Sequence, residues 1–159
     1  MRVRIDAVRR KVSRFVRHDE RGTQLVELAL VMPILVLLFA ATAEFGRFFY
    51  TYSTLAKATR AGARYMTSKP VDSTFKGKAQ NLVVFGDEGA GCSGAAVVTN
   101  LVCANVFIEK KFVSGAPIVT VSIIDFEYQP LFDLGKLTGS STLSLKVNVG
   151  ASSTMKHLL

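Results

Sequence analysis

The apolar and polar positions of this chain fall into distinct patterns. Residues 28–43 contain no charged side chain and are mostly Leu, Val, Ala, Ile and Phe, and Leu25 and Val26 extend the run backwards. Residues 23–43 as an α-helix span about 30 Å, the thickness of a bilayer core, so the pattern predicts a transmembrane helix. Pro33 lies inside it, where a proline removes one backbone hydrogen bond and kinks a helix. Beyond residue 43 the apolar positions thin to a stripe: Phe45, Phe48, Phe49, Tyr52, Leu55, Ala56, Thr59, Ala63 and Met66 recur at three- and four-residue steps. Arg47, Lys57, Arg60 and Arg64 fall on the other side. This is the periodicity of an amphipathic helix, and "SKP" at residues 68–70 ends it. The aromatics at positions 48, 49, 50 and 52 stand where an interfacial belt is expected.

After Pro70 the period shortens to two. Val119, Val121 and Ile123 alternate with Thr120 and Ser122, and Leu143, Leu145, Val147 and Val149 alternate with Ser144, Lys146 and Asn148. Alternation of this kind predicts half-buried strands. The β-branched runs in "AAVVTNLVCANVFIEKKFV" point the same way, whereas residues 86–94 and 134–141 read as turn-rich loops and "TFKGKAQ" as a loop with two lysines. The expected fold is α+β: a single N-terminal transmembrane helix, extended out of the membrane, packing on a small antiparallel β-sheet. The expected boundaries are a basic cytoplasmic leader at 1–22, a long helix at 23–67 (transmembrane about 23–45, amphipathic 46–67) and an extracytoplasmic β-rich domain at 68–159.

Charge fixes the orientation of that scheme. The chain has 159 residues and a formal net charge of +8. Arg2, Arg4, Arg9, Arg10, Lys11, Arg14, Arg17 and Arg21 face only Asp6, Asp19 and Glu20 before the apolar run begins. A basic block at the start of a membrane helix marks the cytoplasmic end. That role accounts for the basicity without a nucleic-acid partner. Spaced apolar residues in the block give it a weak helical face, but a loose leader resting on anionic lipid is the preferred reading.

On this orientation Cys92 and Cys103 reach an oxidising compartment, where a disulfide forms and persists; two free buried thiols are the other option. No metal or cofactor site is expected, since the two histidines, His18 and His157, neighbour no cysteine. "GDEGAGCSG" at residues 86–94 lacks the Gly-Lys-Ser/Thr ending of a phosphate loop. Asp125 and Glu127 lie two apart on a predicted strand and so share a face, but nothing beside them supplies a nucleophile, a base or an oxyanion donor. A solvated strand face is the better reading, and no catalytic set emerges.

The informative constellation is at the start of the apolar run: Gly22, Thr23 and Glu27. A carboxylate deep in hydrocarbon costs on the order of 3 kcal/mol on insertion scales and is a functional-site hypothesis by default. Glu27 either reaches for headgroups or meets a cation. Cleavage after Gly22 creates such a cation, an α-amino group on Thr23, about one turn away. Glycine also adapts readily to an extended protease cleft.

The stretch "RGTQLVELALVMPILVLLFAATAEFGRFFYTYSTLAKATRAGARY" resembles the N-terminal signature of TadE-like proteins, minor pilins or pseudopilins of tight-adherence (Flp, type IVb) pilus systems. Gly22, Glu27, Pro33, "EFGR" at 44–47 and "AGAR" at 61–64 carry the resemblance. It implies that a membrane-embedded prepilin peptidase cuts between Gly22 and Thr23. It further implies that the mature chain stays in the inner membrane until inner-membrane assembly proteins extract it, and that Glu27 of one subunit neutralises the Thr23 amino terminus of another pilin. The chain itself would catalyse nothing. Two rivals remain from the residues alone. "ATA" at 41–43 fits a conventional signal-peptide site, giving a secreted protein starting at Glu44. An uncleaved single-pass protein with a periplasmic binding domain would keep its leader.

Overall fold

The computed structural model describes the backbone of residues 3–132, 139 and 146–159, and the side chains of these from Gly22 onward. The chain divides into two compact units, Met1–Ala43 and Glu44–Leu159. The fold is α+β, with one candidate membrane helix and a three-stranded antiparallel sheet.

Helix α1 runs from Val3 to Met66 and contributes to both units. Its helical backbone begins at Val3, in the segment where a loose leader was the preferred reading and a weak helical face was also noted. No proline interrupts residues 3–32, and Gly22 in a helix interior costs only about 1 kcal/mol relative to alanine. In the first unit the side chains of 22–43 are exposed almost throughout. Leu25, Leu30, Val36 and Phe39 are each more than half exposed, and none of the most apolar window, of mean hydropathy 2.5, is buried. An uncovered apolar surface of this length matches hydrocarbon rather than water. The helix continues through Pro33.

In the second unit α1 acquires a buried stripe. Glu44, Leu55, Thr59, Gly62, Ala63 and Met66 are buried, with Phe48 and Thr51 half-buried between them. The steps are those of one helix face. This face differs from the expected stripe: Phe45, Phe49 and Tyr52 are exposed and Phe45 stacks edge-on against Phe49 at 4.7 Å. The aromatics mark the neighbouring face, while the smaller Thr59, Gly62 and Ala63 take the packed one. A methyl group on Gly62 would lie 2.5 Å from Val83 Cγ2, so only glycine permits this approach.

Helix α2, Ser73–Phe85, occupies the segment expected to be a loop. Asp72 caps it by accepting from the Phe75 N–H at 2.9 Å, and Gly86 closes it in a left-handed conformation with φ 76°. Ala79, Val83 and Val84 are buried at helical spacing. Two lysines and Gly77 hide that short stripe in the sequence.

The sheet has the order β1-β2-β3, all antiparallel, with β1 at Val106–Val113, β2 at Ala116–Tyr128 and β3 at Val147–Lys156. Ser114 and Gly115, both at positive φ, make the two-residue β1–β2 turn. On β2 the alternation buries Val119, Val121 and Ile123 and then shifts phase to Phe126 and Tyr128. The cause is a bulge: the β2–β3 register advances three residues on β2, from Ile123 to Phe126, against two on β3, and Asp125 adopts φ 55°. The Asn105 side-chain amide donates to the carbonyls of Ile124 and Asp125, each at 3.1 Å, and holds the bulge. Of the alternation expected over 143–149, residues 143–145 lie outside the described residues, as does the expected loop at 134–141 apart from Gly139. The run at 95–105 that read as β-branched forms turns and a 3-10 turn, Cys103–Asn105, ahead of β1.

One core joins these elements. Leu55 and Ala63 of α1, Val83 and Val84 of α2, and Val106, Val121, Ile123 and Val149 of the sheet cluster together. Buried His157, just past β3, directs its ring nitrogens to the carbonyl oxygens of Lys69, at 3.0 Å, and Leu159. The Leu158 N–H donates to Thr67 O at 2.8 Å, which ties the end of the chain to the end of α1.

Candidate functional site

Gly22, Thr23 and Glu27 lie on consecutive turns of α1. Residues four apart on a helix share a face, so Thr23 and Glu27 stand one above the other. Glu27 is exposed and makes no hydrogen bond or ion pair with another described residue. No side chain crowds Gly22: a methyl group there would meet nothing within 4 Å. The structure therefore sets an uncrowded glycine just over one turn from a carboxylate with no counter-ion among the described residues.

A second carboxylate on the same helix has the opposite environment. Glu44, first residue of the second unit, is 8% exposed. The Tyr128 hydroxyl donates to its Oε1 at 2.5 Å, the Leu131 N–H donates to its Oε2 at 3.2 Å, and Arg47 Nη1 lies 3.6 Å away. A buried carboxylate is costly unless such partners surround it. The arrangement latches α1 to the end of β2, and Phe48 packs edge-on against the Tyr128 ring at 5.4 Å. The Tyr128 phenol is pushed up to about 12, first by burial, then by its hydrogen bond to Glu44 and the charge of that carboxylate, with Arg47 pulling it down. The phenol thus stays a donor. From the sequence Glu44 drew notice as part of "EFGR" and as the start of a rival secreted product, not as a buried carboxylate. Its position four residues before Phe48, on what becomes the packed face, was the available signal.

Cys92 and Cys103 form a disulfide, with Cα atoms 6.0 Å apart. It closes the loop after α2, which Asn81 organises from below: its Nδ2 donates to Glu88 O at 3.1 Å and its Oδ1 accepts from the Cys92 N–H at 2.9 Å. Asp125 and Glu127 are not paired for catalysis. Both are exposed, Asp125 sits at the bulge, and Glu127 faces Lys146 at 3.5 Å. Among the described residues no three His, Cys, Asp or Glu side chains group as metal ligands.

A cleft of about 440 Å³ opens in the second unit beside the Glu44 latch. Arg47, Tyr50 and Thr51 of α1 form one wall, Asn100 and its neighbours another, and Phe126 and Gln129 the third. Among the described residues of its lining Arg47 is the one that is formally charged.

No curated protein and no solved structure matches the chain. The model of the family described as TadE-like protein matches residues 22–64, so the chain carries a TadE-like segment that contains Gly22, Glu27, Pro33 and Glu44.

Proposed function

We propose that this chain is a minor pilin or pseudopilin of a tight-adherence pilus, cleaved after Gly22 by a prepilin peptidase and assembled through its N-terminal helix. The TadE-like match supports association with such a pilus in general. The finer reading is carried by Glu27, a carboxylate without an intramolecular partner on an uncovered apolar helix, in a matched segment that begins at Gly22. Cleavage releases the basic leader and leaves an ammonium group on Thr23. In a fibre of packed helices Glu27 of one subunit meets that ammonium on a neighbour, and each charge loses its desolvation penalty to the other. Pro33 supports the packing role: its missing N–H leaves the Ala29 carbonyl without its helical donor, a place where the helix bends to fit a neighbour. The leader faces the cytoplasm and the disulfide-bonded body the periplasm, in keeping with the basic block and the redox preference of disulfides. Partners on this reading are the peptidase, other pilins, the inner-membrane assembly proteins and membrane lipid. The role is structural, and the matched family is not one of enzymes.

Gly22 lies within a helix, so the peptidase has to unwind α1 locally, and glycine is the residue at which that costs least. N-terminal sequencing of the membrane-bound protein, with and without the co-expressed peptidase, tests the proposal. The expected start is Thr23 only when the peptidase is present. Gly22→Val should leave full-length precursor, and Glu27→Ala should insert normally but assemble poorly. A start at Met1 in the presence of the peptidase overturns the reading.

One observation favours a second reading. The two units meet between Ala43 and Glu44, where "ATA" fits a conventional signal-peptide site. A secreted body starting at Glu44 is its signature, and intact mass separates it from the first.

A further inference from the structure

The cleft beside Glu44 lies outside the Gly22–Glu27 segment and begins just past the end of the apolar run. The apolar run ends at Ala43, and residues just past such a run lie at the level of lipid headgroups, where phosphates and aromatic belts are found. Arg47 is four residues past that end. Phe45, Phe49, Tyr50 and Tyr52, all exposed, surround it along α1. The cleft's volume, about 440 Å³, falls within the range of small-ligand sites.

Its lining sets one cation among neutral polar and apolar side chains. The lining combines apolar side chains, Phe126 and Val98, with the hydroxyl and amide groups of Tyr50, Asn100 and Gln129. Arg47 supplies a planar fork of five N–H donors. Its side chain is 46% exposed, and its 3.6 Å approach to Glu44 is too long for a hydrogen bond. Glu44 instead receives its hydrogen bonds from Tyr128 and Leu131, which leaves the guanidinium with donors for another anion. Among the described residues the lining carries no acidic side chain.

We propose that this cleft takes the headgroup of an anionic phospholipid of the phosphatidylglycerol type from the leaflet facing the body. Arg47 holds the phosphate, and the polar side chains of the walls hold the headgroup hydroxyls. The proposal rests on α1 spanning a bilayer and is independent of cleavage after Gly22 and of assembly into a pilus.

The test uses the full chain in lipid nanodiscs of phosphatidylcholine, with or without phosphatidylglycerol, and native mass spectrometry to count lipid retained on the released protein. Phosphatidylglycerol should be retained in preference to phosphatidylcholine. Arg47→Gln should lower that retention about tenfold, the loss expected for one charge-assisted contact. Gln129→Glu keeps Arg47 and Glu44 in place and adds a negative charge at an exposed wall. It should lower retention as well, which covers the case in which Arg47→Gln does not fold. Arg60→Gln, an exposed cation of α1 outside the lining, should retain lipid like the parent. Equal retention of both lipids, or unchanged retention in Gln129→Glu, overturns the proposal. So does displacement of the lipid by millimolar inorganic phosphate, which would assign the cleft to soluble anions. A second copy of the chain or a peptide retained in place of lipid overturns it too.

Discussion

Leu35 and Leu55 are the same residue on the same helix, yet Leu35 is 43% exposed and Leu55 fully buried. The contrast runs through α1. Over residues 28–43 the helix is apolar on every side and no described residue covers it; from Glu44 onward it is apolar on one stripe, and α2 and the sheet cover that stripe. The two carboxylates follow the same division, with Glu27 exposed and unpartnered while Glu44 is enclosed by Tyr128, Leu131 and Arg47. One stretch is built to meet surroundings outside its own chain, and the other to meet its own fold.

The strongest way to break this contrast is to make the same substitution in both stretches. Leu55→Ala should destabilise the body by about 3 kcal/mol, as large-to-small changes in a packed core do. Leu35→Ala should leave the urea midpoint of the detergent-held full chain unchanged. Equal midpoints for the two variants would mean that Leu55 is not the core residue described. Nearly as large an effect is expected from removing the Cys92–Cys103 bond. The double serine variant should lose roughly 3 kcal/mol on the chain-entropy model, read from the same urea curves.

Two glycines of α1 sharpen the comparison. Gly62→Ala drives a methyl group into Val83 and should cost about 1–3 kcal/mol. Gly46→Ala meets nothing within 4 Å and should instead stabilise by roughly 0.5–1 kcal/mol through helix propensity. Thermal melts of the pair should therefore move in opposite directions.

The last comparison concerns the Glu44 latch, where the pH dependence rather than the size of the effect is the readout. Tyr128→Phe removes one hydrogen bond to a buried carboxylate and should cost about 1–3 kcal/mol at neutral pH. Its signature is the pH profile. The phenol is raised from 10 to about 12 in the fold, so its contribution is fully present below pH 10 and is lost as pH rises through 12. Tyr65 is raised as well, by burial first and then by its contact with Glu88. The alkaline loss of stability should therefore shrink in Tyr128→Phe without vanishing.

The parts of the molecule legible in sequence were those in which one physical rule acts alone. The uncovered stretch of α1 announces itself because every side faces the same solvent. Strand β2 is legible through Ile123 and then misleads, because the bulge held by Asn105 shifts the buried phase to Phe126 and Tyr128. Helix α2 was missed because Asp72 and Gly86 delimit a segment whose buried face amounts to little more than Ala79, Val83 and Val84. The bulky aromatics drew the packed face of α1 toward Phe45 and Phe49, whereas close approach of α2 selects small residues such as Gly62 and Ala63. Gly22 and Glu27 stand out by their own types. The Glu44 latch does not, since its partners Tyr128 and Leu131 are 84 and 87 positions away.

The latch has a mechanical consequence. Glu44 is the first residue of the folded body, so traction applied along the helix enters the body there and passes to the Tyr128 end of β2. Strand β2 is in turn hydrogen-bonded to both β1 and β3, so the latch ties the first residue of the body to all three strands.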